Sequence, residues 1–567
     1  MTQLATFHGG LHLAGHKSIS TSLPIANLPL PSRLIIPLHQ HIGAAGELVV
    51  AVGDHVLKGQ ALSKPVGYVS ASVHAPSSGI ISDIGEYPLP HPSGLSGLCV
   101  VIDTDGKDEW LPHQGEPGYR ILSPADIRNR ARHAGVVGLG GATFPTSVKM
   151  NPAGQIINTL ILNGAECEPY ITCDDMLMRE RAREVILGAD ILLHALGTAR
   201  CIIAIEDNKP DAIAALRAAL KAAAEDTQLR DISVIAVPTL YPTGGEKQLI
   251  KILTNKEVPS HGLPADIGLV MQNVGTAAAI YRAICCGEPL ISRIVTITGE
   301  AVAKPQNLEV LIGTPISHLI EHCGGYLPAN PLPPSAHADG SRLRPPRSAP
   351  PLKGEGKVES LRDIPIMANR LIMGGPMMGF ALPSDELPVT KGCNCLLVQD
   401  IPPTTAAMPC IRCGECVVVC PASLLPQQLY WHASSKNFDQ VQDYHLFDCI
   451  ECGCCSQVCP SHIPLVQYFR FAKTEIWHQE TEKRKADHAR VRHDFRSERL
   501  EREKREREEA LRKKKELLAQ KAAAETSSGE EDPKKAAIAA AMERVKAKKS
   551  QDTAATETEK ENANERK

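Results

Sequence analysis

Hydrophobic positions in the first part of the chain come in short runs cut by turn residues. The segment ELVVAVGDHVLKGQALSKPVGYVSASVHAPSSGIISDI (47–84) alternates β-prone runs with Gly-Asp, Lys-Gly and Ser-Gly turns, which predicts a β-rich domain over residues 1–115. From residue 120 to 290 the pattern changes. Compact apolar runs, TLILNG (159–164), CIIAIED (201–207) and ISVIAVP (232–238), alternate with Ala-rich helical stretches such as DAIAALRAALKAAAE (211–225). Strand and helix in alternation predict an α/β core. Residues 291–398 read as a smaller β-rich, β-grasp-like segment. It begins at RIVTITGEAVAKPQNLEVLIG, continues through a short helical stretch and resumes at IMGGPMMGFAL (372–382). The intervening residues 327–365 are Pro, Ser, Gly and Arg without periodicity, and are expected to be a disordered insertion. Residues 400–470 hold cysteine clusters. Beyond 475 charge dominates: 25 of the 40 residues 481–520 are Asp, Glu, Lys or Arg in mixed order. That order supports a solvated helix with i,i+4 pairs, followed by a disordered stretch over 526–567. A docking helix for a partner or an anionic membrane surface is the alternative for this tail. The fold class is multidomain α/β.

Length agrees with roughly three or four domains. A net charge of −3 gives no global signal for nucleic acid. Aromatics are only 4%, with 43 Gly and 43 Pro, which favours small-residue packing. Eight of the 18 cysteines fall in two tight groups, so metal binding in a reducing compartment is expected rather than disulfides. The opening MTQLATFHGG lacks the basic-then-apolar order of a signal peptide. No run of about 18 apolar residues exists, so membrane association is expected through partners or a surface helix. Residues 47–84 resemble the half-barrel of biotinyl and lipoyl carrier domains. The hairpin at 65–70 offers Gly67 and Tyr68 at its tip, and Lys64 lies before the turn, so an unmodified scaffold version is expected. His8, His12, His16, His39 and His41 suit turn and surface roles better than a metal.

The cysteine groups carry the most specific chemistry. Cys410, Cys413, Cys416 and Cys420 precede Pro421, and Cys449, Cys452, Cys455 and Cys459 precede Pro460; the same spacing repeats after 39 residues. This run is that of bacterial two-cluster ferredoxins. Three thiolates on a tight loop cap three corners of a cubane. The fourth, past a three-residue step, turns toward the other cluster. The expected ligand sets are Cys410, Cys413, Cys416 and Cys459 for one [4Fe–4S] cluster and Cys420, Cys449, Cys452 and Cys455 for the other. Gly414 and Gly453 give the backbone room beside the sulfides. Zinc is disfavoured, because its knuckles show two separated Cys pairs. Cys454 breaks the repeat and is read as a non-ligand thiol.

Four further motifs lie in order upstream: Gly138-Leu139-Gly140-Gly141-Ala142-Thr143-Phe144-Pro145-Thr146 with Lys149; Asn163 through Glu166, Glu168 and Pro169; Tyr241 through Gly244, Gly245 and Glu246; and Asn273 with Thr276. Glycines let amides close on a phosphate, and Lys149 supplies a cation there. As a dinucleotide fingerprint the loop fails, since Thr143 stands where Gly or Ala is needed. Together the motifs resemble the flavoprotein subunit of respiratory complex I and of NAD-linked hydrogenase diaphorases. That resemblance implies non-covalent FMN held by Gly138, Gly140, Gly141, Lys149, Asn163, Glu166, Tyr241, Gly244, Asn273 and Thr276. It also implies NAD(H) against Phe144, Glu168 and Glu246. Ala165 and Gly245 stand where that family carries acidic residues.

The whole arrangement, with the opening FHGGLHLAGHK and GGPMMG, is similar to the RnfC (RsxC) family of the Rnf (Rsx) ion-translocating electron transport complex over about residues 5–475. The resemblance implies an oxidoreductase/translocase subunit that relays electrons from NADH through FMN and two [4Fe–4S] clusters. It implies other membrane subunits and ferredoxin as partners, no nucleic acid, and a peripheral place on the cytoplasmic side of the cell inner membrane. The translocated ion (Na⁺ or H⁺) and the direction of flow are not readable. The rivals are a soluble NADH-dependent diaphorase subunit and a non-catalytic iron–sulfur adaptor.

Overall fold

The computed structural model describes residues 4–92, 94–152, 154–226, 229–328, 369–400, 406–526 and 537–547. The insertion expected to be disordered, and most of the terminal stretch, lie outside these residues. The chain divides into two units, residues 1–475 and 476–567.

In the first unit, alternation builds the N-terminal sheet. Leu34 and Ile36 of the strand Arg33–Pro37 point inward, and Arg33 is exposed. That strand pairs antiparallel with Ser96–Thr104, which pairs with Gly79–Pro88, which pairs with His55–Val56. Leu62, Val73, Ile81, Val100 and Ile102 complete its core. The hairpin tip lies against the next part of the unit: Asn151 Nδ2 donates to the Tyr68 hydroxyl (3.0 Å) and Arg132 to the Gly67 carbonyl.

The α/β core is a four-stranded parallel sheet in the order Asp231–Val237, Arg200–Glu206, Thr159–Gly164, Leu269–Asn273. Its strands are apolar throughout because helices cover both faces. The helices Ala182–Leu196 and Val274–Tyr281 pack so closely that a Cβ on Gly188 would stand 1.9 Å from the Ala277 carbonyl oxygen. Gly188→Ala is therefore expected to destabilise by about 2–3 kcal/mol, the upper range for overpacking, with a lower urea midpoint as the readout. An unchanged midpoint would show that the two helices separate freely.

The third part is a six-stranded mixed sheet in the order Ala26–Asn27, Gln306–Leu311, Ser292–Thr298, Cys395–Asp400, Asn369–Met373, Phe380–Ala381. Its edge strand at residues 26–27 comes from the N-terminal segment. The three parts share one enclosed cation. Lys391 is 1% exposed, and its Nζ donates to the carbonyls of Ser72 (2.9 Å) and Gly135 (2.7 Å).

The cysteine-rich part carries the short helices Glu415–Val418, Pro426–Ser434, Phe438–Asp443 and Cys454–Gln457. The final long helix runs Leu465–Thr526, and its first turns bury Leu465, Val466, Phe469 and Ala472. In the second unit the helical side chains are largely exposed and carry i,i+4 pairs such as Arg499–Glu503 and Arg512–Glu516. Residues 537–547 are helical, where the sequence reading expects disorder. The segment AIAAAMERVKA is rich in the strongest helix former, which the charge-based reading overlooked. Among the described residues, no helix is long and apolar enough to cross a membrane.

Candidate functional site

The parallel sheet reverses its strand order between Thr159–Gly164 and Leu269–Asn273. In such sheets, ligands bind in the crevice beyond the carboxyl ends at this switch point. Asn163 and Asn273 sit there as register partners, each at or next to the end of its strand. Asn273 caps the helix Val274–Tyr281, its Oδ1 accepting from Gly275 N (2.8 Å), while its Nδ2 donates to Asp174 Oδ2 (2.6 Å). Asn163 Nδ2 donates to the Gly244 carbonyl (2.8 Å).

The glycine-rich loop arches over the same point. Gly138 N donates to the Phe144 carbonyl (2.8 Å), which closes the loop into a turn, and Leu139 N donates to Thr276 Oγ1 (2.9 Å). Gly140 lies so close to Asn273 that a Cβ there would be 3.4 Å from the Asn273 Cβ. Gly141, at φ +115°, has no atom within 4 Å of its Cβ position, so its peptide borders open space as a phosphate cradle requires. Thr146 Oγ1 at the loop's end and Gln272 Nε2 beside Asn273 are buried without a hydrogen-bond partner among the described residues. This donor set fits a flavin phosphate and ribityl chain. Lys149 Nζ is 3.1 Å from Glu246 Oε1 and also donates to the Met271 carbonyl (3.2 Å). Both side chains of that pair are about two-fifths exposed.

The acidic residues divide by partner. The Glu166 carboxylate accepts from Asp174 N (2.7 Å) and Asp175 N (3.2 Å) at the start of the helix Cys173–Glu180. Burial pushes its pKa up to about 8, against the pull of Lys17. Glu168 Oε1 accepts from the amides of Met377 (2.7 Å) and Met378 (2.9 Å) in the GGPMMG turn, and burial raises its pKa too. Tyr241 is 3% exposed, and its hydroxyl donates to the carbonyl of Cys452 (2.6 Å). A larger cavity, about 480 Å³, opens beside Leu139 and Gly275. Its charged groups are already paired with one another, Arg282 with Glu184 and Glu309, and Arg181 with Glu309, so the crevice at the strand ends remains the candidate.

The cysteines line two separate cavities. One is bounded by Cys410, Cys413, Cys416 and Cys459, the other by Cys420, Cys449, Cys452 and Cys455. The chain thus brings together the two crossed sets expected from spacing. Four sulfur donors around each apolar hollow suit an iron–sulfur cubane. Gly414 and Gly453 have φ near +85°, each immediately before a short helix that carries the third cysteine of its run. Cys454 is buried and also lines the second cavity. His8, His12 and His16 are exposed, and His16 stacks on Tyr170. His41 departs from the surface role expected of it: it is buried, with Nε2 3.2 Å from the backbone of Ala71.

Several contributors carry no motif signal. Lys17 Nζ donates to the carbonyls of Glu166, Glu168 and Ile171, which fixes the turn holding both acidic residues. Cys167 Sγ accepts from Gly244 N (3.2 Å). The opening segment, read only as part of a family likeness, bonds both to Tyr241 of the core and to Val419 of the cysteine module.

Four family models match the chain: the RnfC barrel sandwich hybrid domain over 5–107, the Nuo51 FMN-binding domain over 131–282, the SLBB domain over 294–332 and the 4Fe-4S dicluster domain over 409–463. The chain is 48% identical over 512 residues to the RnfC protein of the ion-translocating oxidoreductase complex of Pseudomonas aeruginosa, covering 89% of this chain and 60% of that protein. It is 45% identical over 552 residues to the protein of the same name from Vibrio cholerae, covering 97% of this chain and 65% of that one. The chain therefore spans about three-fifths of the length of these relatives. Among solved structures, an NAD+-reducing [NiFe]-hydrogenase in the H2-reduced state aligns at TM-score 0.41 and 16% identity, covering 63% of this chain and 61% of that one. With the barrel-sandwich, flavoprotein-like, SLBB and dicluster parts in sequence, and relatives of one name along most of its length, the chain belongs to the RnfC family of ion-translocating oxidoreductase complex subunits.

Proposed function

We propose that this chain is the electron-input subunit of a membrane complex that couples NADH-linked electron transfer to ion translocation. The carrying observation is the adjacency of the switch-point crevice to the Cys420/Cys449/Cys452/Cys455 cavity across the single residue Tyr241. When bound, FMN exchanges electron pairs with a nicotinamide and single electrons with iron–sulfur clusters. The protein's share is placement. Gly140, Gly141, Asn163, Asn273 and the loop pinned by Thr276 frame the flavin, and Lys149 stands beside them as its cationic neighbour. Phe144 and the half-exposed Glu246 face the nucleotide side, while Glu168 fixes the GGPMMG turn. The eight cysteines hold two [4Fe–4S] clusters. The names of the relatives support other membrane subunits as partners, with ferredoxin as a candidate redox partner and a peripheral place on the cytoplasmic side of the inner membrane.

Anaerobic titration of the reconstituted protein with NADH, followed by flavin absorbance and cluster EPR together, tests this reading. Bleaching of the flavin with parallel appearance of reduced-cluster signals is expected. Clusters without flavin or any response to NADH would leave the adaptor in its place, and recovery as a stable soluble complex with a hydrogenase would favour the diaphorase. Glu246→Ala is expected to lower NADH-driven flavin reduction about tenfold, as for one charge-assisted contact of about 1.5 kcal/mol. Its effect on stability should stay below about 1 kcal/mol, because the Lys149 pair is exposed. Unchanged reduction kinetics would remove Glu246 from the nucleotide side.

A further inference from the structure

We propose that Tyr241 is a positioning residue for the Cys420/Cys449/Cys452/Cys455 cluster, joining it to the flavin crevice, rather than a ligand of the flavin. The inference rests on the flavin and cluster assignments above. The Tyr241 hydroxyl donates to the Cys452 carbonyl at 2.6 Å, 211 residues away, and both residues are buried in one apolar cluster with Val419 and Cys454. Three residues on, Gly244 accepts from Asn163 at the strand end. One short segment, 241–244, therefore touches the crevice at one end and a cluster-ligand loop at the other.

The opening arm reinforces the same joint. Leu11 and Tyr241 exchange backbone hydrogen bonds in both directions (2.7 and 2.9 Å), and Gly10 N donates to the carbonyl of Val419 (3.0 Å), the residue before Cys420. Gly9 lies at φ +72°, and a Cβ on it would stand 2.6 Å from the Val419 carbonyl carbon, so the arm meets the cysteine loop only because no side chain intervenes. A second tie runs through Glu168 to Met377, whose carbonyl oxygen lies 2.9 Å from the Cβ position of Gly453. Two of the four cysteine ligands, Cys420 and Cys452, are thus flanked by contacts reaching from the flavin fold.

The hydroxyl also has an electrostatic consequence. A donor on the Cys452 carbonyl offsets its negative end beside a centre that gains negative charge on reduction. Cluster potentials respond to hydrogen bonding and burial in this way. Loss of the hydroxyl leaves a buried carbonyl unsatisfied and disfavours the reduced cluster.

The test is Tyr241→Phe in the reconstituted holoprotein, which keeps the ring and removes only the O–H. Redox titration by EPR should show one cluster's midpoint falling, with the flavin–cluster electron equilibrium shifted about fivefold, the worth of one neutral hydrogen bond. The other cluster's midpoint should stay in place. Amide exchange across residues 450–455 should quicken. A lower flavin content or a shifted flavin midpoint, with both cluster midpoints and the exchange unmoved, would return Tyr241 to the flavin and overturn the proposal. Wild-type protein that binds no flavin or no iron would instead overturn the assignments on which it rests.

Discussion

Cys449→Ala is expected to halve the iron of the reconstituted protein, from about eight to about four atoms per chain, and to stop NADH-driven reduction of the cluster that remains. Cys413→Ala is expected to remove a similar amount of iron but to leave the flavin able to reduce its neighbour. The asymmetry comes from position. Cys449 lines the cavity whose Cys452 touches Tyr241, whereas Cys413 is exposed and lines a cavity bounded by Ile411, Tyr430, Ile463 and Leu465. One cluster can be lost without the other because the module has apolar packing of its own. Leu424, Leu429, Ala433, Val441, Leu446, Ile463 and Phe469 are all buried, so the metal need not supply all the folding energy. Iron analysis with cluster EPR separates the outcomes. Loss of both clusters in either variant would show a module that folds all-or-none around its metal. Equal electron transfer in both would remove the order of the clusters argued from Tyr241.

What the sequence made legible follows from how each feature is encoded. The run TLILNG corresponds to the strand Thr159–Gly164, and CIIAIED and ISVIAVP fall within one residue of their strands. A fully buried parallel strand is apolar at every position, so its limits are written locally. The cysteine spacing is equally local, and the two cavities gather the sets it suggested. Tyr241 is different. Its motif resembles a flavin site, but the destination of its hydroxyl depends on a loop 211 residues away. The two-residue strand Ala26–Asn27 joins a sheet whose neighbouring strand begins at Gln306, and so short a piece has no period to read. The long helix starts at Leu465, ten residues before the charged pattern becomes conspicuous. Its first turns belong to the core through Leu465, Val466, Phe469 and Ala472, and the abundance of charge downstream masks that stripe. Lys391 is the extreme case, a lone lysine in PVTKGCN whose burial requires three separate parts to meet.

Lys391→Met is expected to destabilise the chain most at high pH and progressively less toward neutrality. The lysine is enclosed, and burial lowers its pKa to about 7. The unfolded chain keeps the ordinary value near 10.4. Between those values the unfolded state binds more protons than the folded one, so the lysine makes stability rise with pH across about 7 to 10.4, with a slope of at most about 1.4 kcal/mol per unit. Near pH 10 the neutral amine donates to Ser72 and Gly135 without the desolvation cost of a charge, and its removal orphans two buried carbonyls, at about 1–3 kcal/mol each. Near pH 7 part of that loss is offset, because methionine also removes a buried charge. His74 acts in the same sense at lower pH. It is buried, its Nδ1 has no partner among the described residues, and burial followed by repulsion from Lys391 takes its pKa down to about 3. The histidine therefore lowers stability as pH falls from about 6.5 toward 3. Urea midpoints of wild type and Lys391→Met at pH 7, 8.5 and 10 measure the effect directly. The two curves should diverge as pH rises. Parallel curves would mean that the Lys391 amine stays charged and hydrated, and that the three parts are not closed around it.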